Sequence, residues 1–159
     1  SSASGFGGGS IQVRASSGTG VTSKVSTTGS GDHTIQISAS NMVVDAGAGT
    51  NSIFILDGGN HSFVLDANGT DLISGFSLAN KDTLDLRVLL SAANLSLDGD
   101  MARLGAYVHV SNTNGRASVA FDPTGAWANP GSTIAVLENV GNTVTSIADL
   151  VSGGAVRIG

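Results

Sequence analysis

The sequence predicts an all-β fold: a short, degenerate β-solenoid over residues 29–76, capped by a β-rich C-terminal subdomain over 77–159. A linker and N-terminal β segments occupy 1–28. Three observations lead there. Glycine supplies 23 of 159 residues and charged residues only 12%. Ser and Thr add 35 and Asn 11, a composition built for tight turns rather than for helical bundles. Hydrophobic residues still make up 40%, which is enough for a core and too many for ordinary disorder. Finally, one short pattern recurs at nearly constant spacing from residue 29 onward.

The elements follow in chain order. SSASGFGGGS at 1–10 reads as a flexible linker. IQVRAS and VTSKVS within 11–28 are short β-type runs without a helical period. SIQVRAS at 10–16 recurs as TIQISAS at 34–40, a hint of duplication. The sharper repeat is Gly, any residue, polar, any residue, large apolar. It occurs as Gly31–His33–Ile35, Gly49–Asn51–Ile53, Gly59–His61–Phe63 and Gly69–Asp71–Ile73, with Ser40–Met42–Val44 as a degenerate copy. A unit this short supplies one turn and one brief strand, and is stable only when stacked on its neighbours. Stacking predicts an apolar ladder of Ile35, Val44, Ile53, Phe63 and Ile73.

Beyond residue 90 the pattern changes. Tyr107–Val110 and Ser118–Phe121 read as strands joined by a hairpin turn at Asn114–Gly115, and Ile134–Leu137 as another strand. Two short helices are expected, Val88–Ala93 and Ile147–Val151. Thr145 or Ser146 would cap the second and Gly153 would end it.

TGSGDHTIQ (28–36) and AGAGTNSIF (46–54) resemble the nonapeptide G-G-x-G-x-D-x-U-x of RTX proteins, the haemolysin-type calcium-binding repeat family. GNHSFVL (59–65) is similar to the last repeat of such arrays. GTDLISGF (69–76) with KDTLDLRVLL (81–90) resembles the junction that follows them. VAFDPTG (119–125), IAVLENV (134–140) and the terminal GGAVRIG look like the C-terminal target region of type I secretion substrates. The resemblance spans roughly 29–159. It implies a β-roll and a non-catalytic module for type I secretion and extracellular folding of a larger bacterial protein. The type I secretion machinery would be the partner, and the location would be secreted or at the cell surface.

The same resemblance implies calcium, bound between adjacent turns by backbone carbonyls and the repeat's Asp. Calcium takes six to eight hard oxygens. Here the carboxylate position reads His33, Met42, Asn51, His61 and Asp71. Only Asp71 keeps the carboxylate, and Asn51 offers an amide oxygen. Asn51, Asp71, Asp82 and Asp85 are the candidate metal ligands, with low occupancy expected. The alternative is that these Asp and Asn residues cap turns through backbone N–H groups. His33 and His61, at equivalent repeat positions, lack a third ligand for zinc or nickel and read as turn histidines. His109 alternates outward on a strand.

Other functions find less support. A net charge of −5 disfavours phosphate-backbone binding, and no apolar run is long enough for a membrane-spanning helix. Without cysteine there are no disulfides or thiol sites. Neither G-x-S-x-G nor H-E-x-x-H occurs, so no enzyme is expected. A polysaccharide-enzyme fragment would need a longer groove than five short repeats provide. Asp122–Pro123, an acid-labile type of bond, reads as a turn rather than a processing site. Trp127 and Tyr107 form either a sugar-stacking platform or part of the packing. Adhesion, self-association or binding of a cell-surface polysaccharide is the alternative to the export role.

Overall fold

The computed structural model describes the backbone of Ser2–Phe6, Gly9–Val13 and Ser23–Thr28 and the whole of residues 31–159. Parts of the expected N-terminal linker and β segments (residue 1, 7–8 and 14–22) and the first two residues of the repeat region (29–30) lie outside the described residues. Ser2–Phe6 (β1) is a strand within the stretch expected as linker, Gly9–Val13 (β2) begins there and takes in the start of the expected β run, and Ser23–Thr28 (β3) follows. The repeat region forms β4 (His33–Ser38), β5 (Met42–Asp45), β6 (Gly49–Asp57), β7 (Ser62–Val64) and β8 (Gly69–Ser74). Then come β9 (Thr83–Asp85), α1 (Arg87–Ala92), α2 (Met101–Leu104), β10 (Val108–Thr113), β11 (Arg116–Phe121), β12 (Ser132–Glu138), α3 (Ile147–Ser152) and β13 (Val156–Arg157).

These strands make two sheets. One runs β1-β3-β5-β7-β9-β13 and the other β10-β11-β12-β8-β6-β4-β2. Up to β9, successive strands alternate between the sheets, and each pairs in parallel with the strand two along.

The expectation of an all-β solenoid is therefore corrected. The fold is mixed α/β: two largely parallel sheets with three short helices. Strands of the C-terminal region extend both sheets, β12 adding in parallel to β8 and β13 to β9. The helices arise where the Gly-turn repeat stops. Arg87–Ala92 is RVLLSA and Met101–Leu104 is MARL, both rich in helix formers and free of glycine. Asp100 caps α2 by accepting from the Ala102 N–H at 3.0 Å. At α3, Ser146 is the N-cap but its side chain makes no capping bond. Asp149 instead accepts from Thr145 N and Oγ1 at 2.8 and 2.7 Å.

The apolar ladder is also two columns, not one. Consecutive repeats fall on opposite sheets, so in-register neighbours are two repeats apart. Ile35, Ile53, Ile73 and Leu137 stack in one sheet. Val44, Phe63, Leu84 and Val156 stack in the other. All eight side chains are buried, seven of them completely. Leu84 reveals a further copy of the pattern, Asn80–Asp82–Leu84. The duplication hint is realised directly: Ser10, Ile11, Gln12 and Val13 pair with Thr34, Ile35, Gln36 and Ile37.

The β10–β11 hairpin turns at Asn114 and Gly115, both left-handed with φ of 55° and 83°, as a two-residue type I′ turn requires. At Gly69 a Cβ would lie 2.7 Å from Gly47 O and 2.8 Å from Gly49 O. Only glycine lets adjacent turns approach this closely.

Candidate functional site

The polar repeat position stacks in two columns, one at the edge of each sheet. His33, Asn51 and Asp71 form the first; Met42, His61 and Asp82 form the second. All six are buried. At His33, Met42 and His61 the buried backbone N–H needs an acceptor. The side chain one layer along supplies it. Asn51 Oδ1 accepts from His33 N at 3.1 Å. His61 Nδ1 accepts from Met42 N at 3.2 Å, and Asp82 Oδ1 accepts from His61 N at 2.9 Å.

Asn51 is the centre of the first column. Its Nδ2 donates to Gly47 O at 3.2 Å, Ala48 O at 3.4 Å and Asp71 Oδ1 at 3.2 Å. The amide orientation is fixed, because Oδ1 must face the His33 N–H and Nδ2 the three oxygens. His33 Nδ1 also lies 2.9 Å from Asn51 Oδ1. Burial pushes the Asp71 carboxyl up to about 7, opposed by the Asn51 bond and reinforced by the charges of Asp45 and Asp66.

Calcium would need this same convergence of oxygens. The amide nitrogen of Asn51 already stands among Gly47 O, Ala48 O and Asp71 Oδ1. The residues as arranged do not fit an ion there. Among the described residues, no group of three or more carboxylate or imidazole side chains is gathered as a metal would require.

The structure brings together only two of the four candidate ligands, Asn51 and Asp71. Asp82 belongs to the opposite column, where both its oxygens are engaged: Oδ1 by His61 N and Oδ2 by Ser77 N at 3.0 Å. Burial raises its pKa against those bonds. Asp85 is paired with Arg87, whose Nη2 lies 2.7 Å and Nε 3.0 Å from its oxygens. Burial opposes ionisation of Asp85, yet the guanidinium holds it below the usual carboxylate range.

The two repeat histidines lie in opposite columns rather than on neighbouring rungs. Burial lowers the His61 pKa, partly offset by Asp82. Its Nδ1 is an acceptor, so the ring is the Nε2–H tautomer. A hydrogen bond with the Asp57 backbone offsets the shift further.

A second feature was only partly legible. Trp127 stacks on His109, with ring centroids 3.6 Å apart and planes at 8°, rather than pairing with Tyr107. His109 is exposed on β10, as its alternation implies. Trp127 sits in a left-handed conformation, φ 52°, which is unfavourable for a bulky residue. Asp122 holds it there. Oδ2 accepts from Trp127 N at 2.8 Å, while Oδ1 accepts from Thr124 N and Oγ1 at 2.9 and 2.8 Å. The Thr124 bonds keep Asp122 ionised below its ordinary range. The Asp122–Pro123 step is thus the start of a carboxylate-pinned turn.

No protein-family model, no curated protein and no solved structure matches this chain. The likeness to RTX repeats rests on the residues quoted above. Among the described residues, no helix is long and apolar enough to cross a membrane.

Proposed function

We propose that this chain is a non-catalytic C-terminal module that takes a larger bacterial protein through type I secretion and folds outside the cell. The observation that supports this is the register of the repeats. Gly49, Asn51 and Ile53 pair residue for residue with Gly69, Asp71 and Ile73. The family-like motif therefore acts as a structural unit, not as a chance Gly-rich run. In this reading hydrogen-bonded side-chain columns take over the inter-turn role that calcium has in RTX repeats. The module then needs little or no ion to fold.

Export is tested with a reporter fused ahead of the chain in a bacterium carrying a type I secretion system. Removing the segment from α3 to the C-terminus should abolish appearance of the reporter in the medium. Removing residues 1–28 should not. Secretion that survives loss of the C-terminal segment would contradict the proposal.

A further inference from the structure

An open groove of about 730 Å³ lies beside the Trp127–His109 stack on the outward faces of β10, β11 and β12. His109, Ala120 and Thr133 form one row across the three strands, and Ser111 and Ser118 the next. Ala120 is the low point of the first row. The parallel rings of Trp127 and His109 make one wall, and Ser111, Ser118, Asn129 and Thr133 bring hydroxyl and amide groups to the floor and rim. No carboxylate, lysine or arginine lines it among the described residues.

The wall is built to hold its position. The indole Nε1 donates to Ala106 O at 2.9 Å. The backbone N–H of Trp127 is fixed by Asp122. At Gly131, a Cβ would lie 2.9 Å from the indole and 2.8 Å from Phe121 O, so the indole packs directly on bare backbone. A bulky residue kept in left-handed backbone by this many constraints is a mark of a functional position.

We propose that this groove binds a neutral saccharide. A pyranose presents an apolar C–H face and a rim of hydroxyls. The first matches a flat, electron-rich ring wall, and the second matches uncharged hydroxyl and amide groups that both donate and accept. An uncharged lining leaves an anionic polysaccharide without a counter-charge. The site is independent of the export reading, since it uses none of the repeat columns.

Trp127 is the only tryptophan in the sequence, so its fluorescence reports the groove directly. The intact chain is titrated with cellohexaose, maltohexaose and mannohexaose, and with polygalacturonate as the anionic counterpart. At least one neutral hexasaccharide should give a saturable change at millimolar concentrations or below, and polygalacturonate should not. Two variants carry the assignment. Trp127→Ala, followed by calorimetry, should weaken binding by about tenfold or more. Ala120→Phe fills the groove from β11 while leaving Trp127 and its Asp122 anchor unaltered in sequence, and should abolish the fluorescence response while leaving the thermal melt unchanged.

Several results would overturn the proposal. One is no response to any neutral hexasaccharide. Another is equal binding of polygalacturonate, and a third is wild-type binding by Ala120→Phe. A fluorescence change that follows protein concentration alone, with dimers in sedimentation, would instead make this face an interface between copies.

Discussion

Asn51 Nδ2 lies 3.2 Å from Asp71 Oδ1, one layer along the same sheet, while its Oδ1 accepts from the His33 N–H one layer back. A neutral amide thus bridges three layers. Because it donates and accepts at once, it satisfies carbonyls, a carboxyl and a backbone N–H without an ion. The predictions below follow from this arrangement.

Asn51→Asp should turn a calcium-indifferent centre into a calcium-dependent one. The change removes the donor shared by Gly47 O and Ala48 O and sets a second carboxylate against Asp71. Breaking a buried polar pairing of this kind costs roughly 3–5 kcal/mol. The urea midpoint in chelator should fall accordingly and recover when calcium is added. An unchanged midpoint would mean that the amide does not hold these turns together.

Asp71 should make the fold less stable as pH rises. Its folded pKa of about 7 exceeds its ordinary 3.8, so the folded state holds the proton more tightly. Stability is full below 3.8 and declines as pH climbs toward about 7. As an upper bound, that interval corresponds to roughly 4 kcal/mol. Asp71→Asn should flatten this dependence and raise stability above neutral pH. Identical pH profiles for the variant and the parent would refute the assignment.

His61 should act in the opposite direction. Its folded pKa lies below the ordinary 6.5, so the unfolded chain takes the proton more readily. Stability is full above 6.5 and is lost as pH falls. Protonation also puts a hydrogen on Nδ1, where the Met42 N–H already points. His61→Asn supplies the acceptor that Asn51 supplies in the other column. It should blunt the acid-side loss, at a packing cost of about 1 kcal/mol. Chemical denaturation across mildly acidic pH compares the two slopes.

Ile53 tests the core columns. It is fully buried between Ile35 and Ile73. Ile53→Asp would bury a carboxylate without a partner and should unfold the protein. Ile53→Val should cost only about 0.5–1.5 kcal/mol. Similar, small effects of both in thermal melts would show that the column does not carry the fold.

The sequence made some of this legible and hid the rest for physical reasons. Spacing of the Gly-turn motif located the strands, and Asn114–Gly115 located the hairpin. The motif could not say that alternate copies belong to different sheets, because spacing along the chain does not encode which face a strand joins. Hence His33 and His61, alike in sequence, end up in separate columns. The copy at Asn80–Asp82–Leu84 carries Asn80 where the motif has glycine, while Lys81 takes the left-handed turn (φ 62°) that Asn41 and Asn60 take in their copies. Asp100 was a readable cap for α2, and α1 lay within one residue of its expected position. The Trp127–His109 stack had no local signal. It depends on a left-handed tryptophan pinned by Asp122 and by Ala106 O, 5 and 21 residues away along the chain, which no periodicity reveals.

The central claim is that hydrogen-bonded columns, not calcium, hold the layers together. Circular dichroism of the whole chain, melted in excess chelator and again in millimolar calcium, measures this most directly. The account predicts a folded, cooperatively melting spectrum in chelator. Even a single site held at [L] near 100 times its Kd would add only about 2.7 kcal/mol, so calcium should shift the midpoint at most modestly. A chain that is unfolded in chelator and folds cooperatively on adding calcium would contradict it.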